Sequence, residues 1–145
     1  MSDPADDGRV WTRVKGCGAF ADFVGAVHMS RDALDPGEAV RFGFRVSPHH
    51  CNTRPVCHGG MLATFADIAL ARGIRVVRDV PTPLPTITMS LDYLAPAPLG
   101  AWVDARVSVT RAGAGTCFAQ LLMYAAGAPI LRASGVYKRF RPRAS

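Results

Sequence analysis

Beyond Pro36-Gly37 the chain alternates. Val40, Phe42, Phe44 and Val46 fall on one side and Arg41, Gly43 and Arg45 on the other, the period of a half-buried strand. From Gly59 the period changes. The stretch "GGMLATFADIALARGIRVV" holds helix formers and no proline. Plotted at about 100° per residue its apolar positions reach almost every side, so the helix is expected to be buried all round. After the proline-rich turn "VPTPLPT" come four strand-like segments, "TITMSLDYL", "AWVDARVSVT", "TCFAQLLMYAA" and "ILRASGVYKRF". In the first, Ile87, Met89, Leu91 and Tyr93 alternate with Thr88, Ser90 and Asp92; in the second, Val103, Ala105, Val107 and Val109 alternate with Asp104, Arg106 and Ser108. The turns Pro98-Leu99-Gly100 and Gly113-Ala114-Gly115 are short enough to join antiparallel neighbours, and Gly127-Ala128-Pro129 joins the last two strands. Upstream, "FADFVGAVHMS" is expected to form a short helix feeding an edge strand. One long buried helix and about five strands predict an α+β fold, a sheet curled around the helix.

Composition adds limits rather than detail. The 145 residues, 49% hydrophobic and 19% charged, suit one folded domain over 16–145 behind a loose terminus of about 15 residues. No apolar run approaches the roughly 18 residues that would cross a bilayer. The opening "MSDPADDGRV" is too acidic for a targeting segment, so a cytoplasmic address without membrane partners is expected. Cys17, Cys51, Cys57 and Cys117 are then expected as free thiols. The net charge of +6 is dispersed except in the tail Lys138-Arg139-Phe140-Arg141-Pro142-Arg143. No nucleic-acid motif accompanies that tail, so no nucleic-acid partner is expected; it suits solvent or the phosphates of a nucleotide-bearing ligand.

The chemistry concentrates around "HHCNTRPVCHGG", residues 49–60. Its histidines and cysteines invite a metal site, but no Cys-x2-Cys or His-x3-His spacing is present, and none is expected. Cys57 beside His58 resembles a nucleophile and base, yet sequence neighbours seldom face each other and no orienting third group is evident. The glycines and the helix behind them matter more. Asp67 is the only acid in the predicted helix, a costly placement unless it is paired or put to use. A structural role, pairing with Arg72 or capping a loop, competes with a role as general base, which a partly dry pocket favours. Gly59 and Gly60 open the helix, where backbone N–H groups lack intrahelical acceptors and a substrate can approach closely. A carbonyl oxygen gaining negative charge during acyl transfer would be held there. Gly59 and Asp67 are eight residues apart, about 12 Å along one helix, too far to share one reacting carbon. Two antiparallel helices across a two-fold axis, each lending Asp67 to the other's Gly59, solve this, so the active unit is expected to be a homodimer.

The run Asn52, His58-Gly59-Gly60, Asp67 has the spacing N-x5-H-G-G-x6-D, and "LDYLAPAPLGAWVDARV" carries a Y-x-x-P-A-x-x-G pattern. Together they resemble the hotdog acyl-CoA thioesterases of the phenylacetic-acid-degradation (PaaI) type, over most of the chain from "FVGAVHMS" to "ASGVYKRF". The resemblance implies a hotdog fold and hydrolysis of an acyl- or aryl-CoA thioester to the free acid and CoA. It implies no cofactor beyond the CoA of the substrate. It implies that the Gly59 N–H polarises the carbonyl with help from Asn52, that His58 steadies the loop or touches the substrate, and that Gly60 lies against the substrate. Asp67 would activate water or attack as a nucleophile, and Thr86 would orient the water. Arg111, Lys138, Arg139 and Arg141 become candidates for the CoA phosphates, and a homotetramer built as a dimer of dimers is implied. Pro55 stands where the family often has Gly, which bears on the substrate more than on the reaction. The competing reading is a non-catalytic acyl-CoA-binding sensor on the same fold.

Overall fold

The computed structural model of the chain describes residues 4–25, 27–32, 34–81 and 83–141. In chain order it contains β1 (Thr12–Arg13), α1 (Ala19–Val24), β2 (His28–Ser30), β3 (Val40–Arg45), a 3-10 turn (Pro48–His50), α2 (Gly59–Arg78), β4 (Thr86–Tyr93), β5 (Trp102–Ala112), β6 (Thr116–Ala125) and β7 (Ala128–Lys138). The strands make one antiparallel seven-stranded sheet in the order β1-β2-β3-β5-β6-β7-β4. The expected α+β architecture is the one observed: a curled sheet closing on one long helix, the hotdog fold.

Alternation sets which face is inside. Val40, Phe42 and Phe44 of β3, Val103, Ala105 and Val107 of β5, and Leu121 and Met123 of β6 are all buried against α2. From the helix come Leu62, Phe65, Ala66, Ala69, Leu70 and Ile74, a stripe at the helical period. Gly73 belongs to that stripe because nothing larger fits: a Cβ there would stand 2.8 Å from Val107 Cγ1. Gly73→Ala is therefore expected to destabilise the fold by about 1–3 kcal/mol through overpacking. The check is a lower urea midpoint at unchanged slope.

Four expectations need correction. The helix is not buried all round within one chain. Thr64, Asp67, Ile68, Ala71, Arg72 and Arg75 form a half-buried stripe, open because one sheet can cover only one side of a helix. The Pro98-Leu99-Gly100 turn does not join sheet neighbours either. β4 lies at the edge beside β7, and β5 pairs with β3 and β6, so residues 94–101 cross the end of the sheet, with Cys57 N–H donating to Ala97 O and Leu99 N–H to Pro55 O. Near the start of the chain β1 pairs with β2, Val10 N–H donates to Asp32, and Trp11 meets Trp102 edge to face at 5.1 Å, contacts that add to the sheet and correct no expectation. Finally, the outward residues of β3 are not all solvated. Arg41 is 4% exposed, enclosed by Asp35, Glu38 and Asp104. The turn from β6 to β7 is made by Ala126 and Gly127, both at positive φ, so Pro129 falls inside β7 beside a register shift.

Candidate active site

The loop before α2 is more ordered than its prolines suggest. Cys51 and Cys57 form an isolated antiparallel bridge, Asn52 N–H donates to Val56 O, and His58 N–H donates to His50 O. The "HHCNTRPVCHGG" segment is thus a small hairpin that leads directly into the helix. Its histidines are occupied by backbone. His50 is buried; it accepts the Ser47 N–H at Nδ1 and turns Nε2 to Val24 O at 2.5 Å. His49 Nε2 meets the same carbonyl at 3.0 Å. Burial holds the His50 ring below the usual histidine range, consistent with a neutral ring accepting at Nδ1. His58 caps the helix: its Nδ1 accepts the Gly60 N–H at 2.7 Å, the bond an N-cap residue offers to a donor of the first turn. Among the described residues no three His, Cys, Asp or Glu side chains gather as metal ligands do.

The cap decides which amide remains available. Gly60 spends its N–H on His58. The Gly59 N–H, at the first helical position, finds no acceptor among the described residues. Tyr93 donates its hydroxyl to Gly59 O at 2.8 Å, which anchors the carbonyl side of the residue whose N–H is free. Asn52 is exposed at the hairpin tip, across from Val56 rather than Gly59, and its Oδ1 accepts the Arg54 N–H. The Cys57 thiol is buried and pushed up to about 12, by desolvation first and by Cys51 second. At neutral pH it holds almost no thiolate, the form a nucleophile requires.

Asp67 does not pair with Arg72, whose guanidinium donates to Lys15 O instead. Its Oδ1 accepts two hydroxyls, Thr86 Oγ1 at 2.7 Å and Tyr137 at 2.9 Å. Thr86 opens β4 and Tyr137 lies near the end of β7; the two strands are paired and Thr86 faces Tyr137, so the register itself delivers both donors to one oxygen. Burial, then the Asp67 carboxylate, raise the Tyr137 hydroxyl above the usual tyrosine range, which keeps it a donor. Oδ2 receives neither bond, and Asp67 borders a groove of about 360 Å³ lined by Cys17, Ile68, Ala71, Arg75, Leu84 and Thr86 among others.

Sequence reasoning misses Tyr137. The available signal is its place at an inward position of β7, where a phenol needs a partner once buried, and Asp67 is the one acid of the facing helix. Gly135 leaves room for the ring, since a Cβ there would meet Tyr137 Cε2 at 2.6 Å. Tyr137→Phe keeps the packing and removes one donor to a charged group, a bond worth about 1.5–3 kcal/mol. We expect kcat to fall about tenfold or more with KM changed much less; equal changes in both would assign the ring to substrate binding. A larger groove of about 840 Å³ on the outer sheet face, bordered by Ser90, Arg106, Gln120 and Ser134, lies on the side away from α2 and touches none of these groups. Arg111, Lys138 and Arg139 gather at one end of β5, β6 and β7, with Arg139 donating to Gly113 O. Arg141 comes next, exposed, and Arg143 of the basic tail lies outside the described residues.

Comparison with known proteins gives the family and the fold. The family model described as the thioesterase superfamily matches residues 55–128, which include the Gly59 helix start, Asp67 and Thr86. The Pseudomonas aeruginosa protein named "Putative esterase PA0474" is 31% identical over 93 residues, 64% of this chain and 69% of that one. Among solved structures, zebrafish thioesterase superfamily member 2 superposes with a TM-score of 0.72 at 22% identity, covering 84% of this chain and 87% of that one. The PaaI protein of the Escherichia coli phenylacetic acid degradation operon gives 0.64 at 20% identity, over 70% and 72%. A hypothetical thioesterase protein of Streptococcus pneumoniae, solved with coenzyme A, gives 0.68 at 19% identity, over 87% and 94%. The chain belongs to the thioesterase superfamily and is a thioester hydrolase of the hotdog fold.

Proposed function

We propose that the protein is an acyl-CoA thioesterase whose catalytic unit is a homodimer. The observation that carries this reading is the pairing of two half-sites in one chain: a carboxylate at a groove with one oxygen fixed by two hydroxyls, and, about 12 Å up the same helix, a Gly59 amide without an acceptor among the described residues. Neither half works alone, because base and oxyanion donor must both stand within about 3 Å of the reacting centre. Antiparallel apposition of two α2 helices over their first halves brings Asp67 of one subunit to the partner's Gly59 and leaves the Ile68–Arg75 part of the open stripe beyond the start of the partner helix. The edge strand β4 supports the same assembly: it is unpaired on its outer side, and Ile87 and Tyr93 are each more than half exposed. Pairing of dimers into a tetramer is part of the proposal.

In the proposed reaction Asp67 Oδ2 takes a proton from water as the water oxygen attacks the thioester carbon. The carbonyl oxygen takes up negative charge against the partner's Gly59 N–H. Collapse of the tetrahedral species breaks the C–S bond, and the proton held on Asp67 neutralises the departing CoA thiolate. Thr86 and Tyr137 keep the carboxylate oriented, His58 holds the helix start, and Asn52, reaching across the assembled dimer, aids the carbonyl. Arg111, Lys138, Arg139 and Arg141 are assigned to the CoA phosphates. The coenzyme A bound by the pneumococcal protein of similar fold supports CoA as the carrier. Among the described residues no helix is long and apolar enough to cross a membrane; a cytoplasmic address remains part of the proposal.

The test is hydrolysis of short, medium, long and aromatic acyl-CoAs, followed as thiol release with the four protein cysteines subtracted. Turnover of at least one class supports the reading. Binding of CoA esters without turnover would replace it with the sensor reading.

A further inference from the structure

The groove beside Asp67 has an apolar wall and a charged end. Ile68, Ala71, Pro83, Leu84 and Pro85 line its length. Asp67, Ala71 and Arg75 succeed one another at intervals of four on one face of α2, so the groove runs down the helix from the carboxylate to a guanidinium. The two arginines at that end differ. Arg72 is engaged with Lys15 O, which holds Gly16 and Cys17 in place as the opposite wall. Arg75 is half-buried and has no acidic partner among the described residues. A partly desolvated arginine facing an apolar channel is a receptor for a carboxylate, which it can hold through paired N–H bonds.

Resting on the thioesterase reading, we propose that Arg75 selects acyl groups that end in a carboxylate, so that the preferred substrates are short ω-carboxyacyl thioesters. The length is set by the helix. Asp67 and Arg75 are separated by about two turns, roughly 12 Å of rise, and the long Arg75 side chain leans back toward the helix N-terminus. An acyl chain of roughly four to six carbons spans what remains when its carbonyl stands at Asp67. The phosphates of CoA stand a whole pantetheine arm from the sulfur, beyond the reach of this groove, which is why the anion is placed on the acyl side. The apolar wall accepts the methylenes, and the guanidinium takes a charge that an entirely apolar pocket would reject.

The experiment compares glutaryl-CoA with pentanoyl-CoA, matched in chain length and differing in the terminal group. In the wild type kcat/KM is expected to favour glutaryl-CoA; in Arg75→Gln the glutaryl-to-pentanoyl ratio is expected to fall about tenfold or more, and Arg75→Lys to recover part of it. The same pair is measured by calorimetric binding to Asp67→Asn protein with and without Arg75→Gln, where the affinity ratio should fall in step. This arm reads the groove even if the wild type hydrolyses neither ester, so failure of the thioesterase reading and failure of this proposal are distinguishable. Loss of both substrates by one factor would assign Arg75 to CoA phosphate or to folding, and an unchanged ratio would show no carboxylate recognition; either overturns the proposal.

Discussion

Asp67→Asn is expected to lower kcat by about 10²–10⁴-fold, the range lost with a positioned general base, while KM changes little. The substitution is nearly isosteric. Its amide oxygen can still accept from Thr86 and Tyr137, so the packing between α2, β4 and β7 is retained. The ability to accept a proton from water is what it removes. Stopped-assay kinetics on the best acyl-CoA of the panel separate the outcomes. A fall in kcat alone fits a group acting in the transition state, whereas equal loss in kcat and binding would mean that Asp67 mainly holds the substrate. If Asp67 instead attacked the thioester, an acyl–aspartyl anhydride would form with release of CoA thiolate, and its opening by heavy-oxygen water at the Asp67 carbonyl under single-turnover conditions would place label in that carboxylate. The water route leaves that carboxylate unlabelled.

Gly59→Pro is the second large effect. The first position of a helix is one where proline is well tolerated, because its missing N–H has no intrahelical partner. His58 already has the extended backbone, φ −61 and ψ 137, that a residue before proline adopts. The variant is therefore expected to fold with α2 intact while deleting the one amide assigned to the oxyanion, and kcat is expected to fall about 10²–10³-fold. Gly59→Ala is the control. It keeps the N–H, and its Cβ would meet the Tyr93 ring at 3.3 Å, a contact that this half-exposed ring can relieve by a small shift. Gly59→Ala retaining most of the activity that Gly59→Pro loses would tie the effect to the amide. Equal loss in both would tie it to Tyr93 and the shape of the helix start.

Much of this site is legible in the chain because alternation and helical period are local properties. The inward faces of β3 and β5, the helix from Gly59, and Asp67 as the one acid upon it can all be read from such periods. Strand order cannot. The stretch between β4 and β5 reads as a tight turn, yet β4 closes the sheet beside β7, a choice made by packing around α2 rather than by the turn. For the same reason Tyr137 escapes notice: its partner is 70 residues away, and only the β4–β7 register brings Thr86 and Tyr137 to one carboxylate oxygen. Arg41 shows the converse. It reads as an outward, solvated charge, but acids from the preceding turn and from β5 fold over it. The open helix stripe is a third case, since an apolar period marks surface to be covered without saying which chain covers it.

The apolar character of that stripe is what makes the two-subunit site economical. Ile68 and Ala71 lie beside Asp67 on the half-buried face, so the surface next to the carboxylate excludes water from the place where the partner's amide meets it. Exclusion strengthens both the carboxylate's action as a base and the amide's hold on the developing oxyanion. Removal of either group leaves a complete fold with a site that lacks one function, and this separability allows the central claim to be tested directly.

The decisive measurement uses mixed dimers. Asp67→Asn and Gly59→Pro chains carrying different tags are co-expressed, and the species bearing both tags is isolated and assayed beside each parent. If one site draws Asp67 and Gly59 from different subunits, one of the two sites in the mixed dimer contains both substitutions and the other contains neither, so activity returns far above that of either parent. If both groups act within one chain, every site in the mixed dimer keeps one defect, and the mixture remains as inactive as the parents.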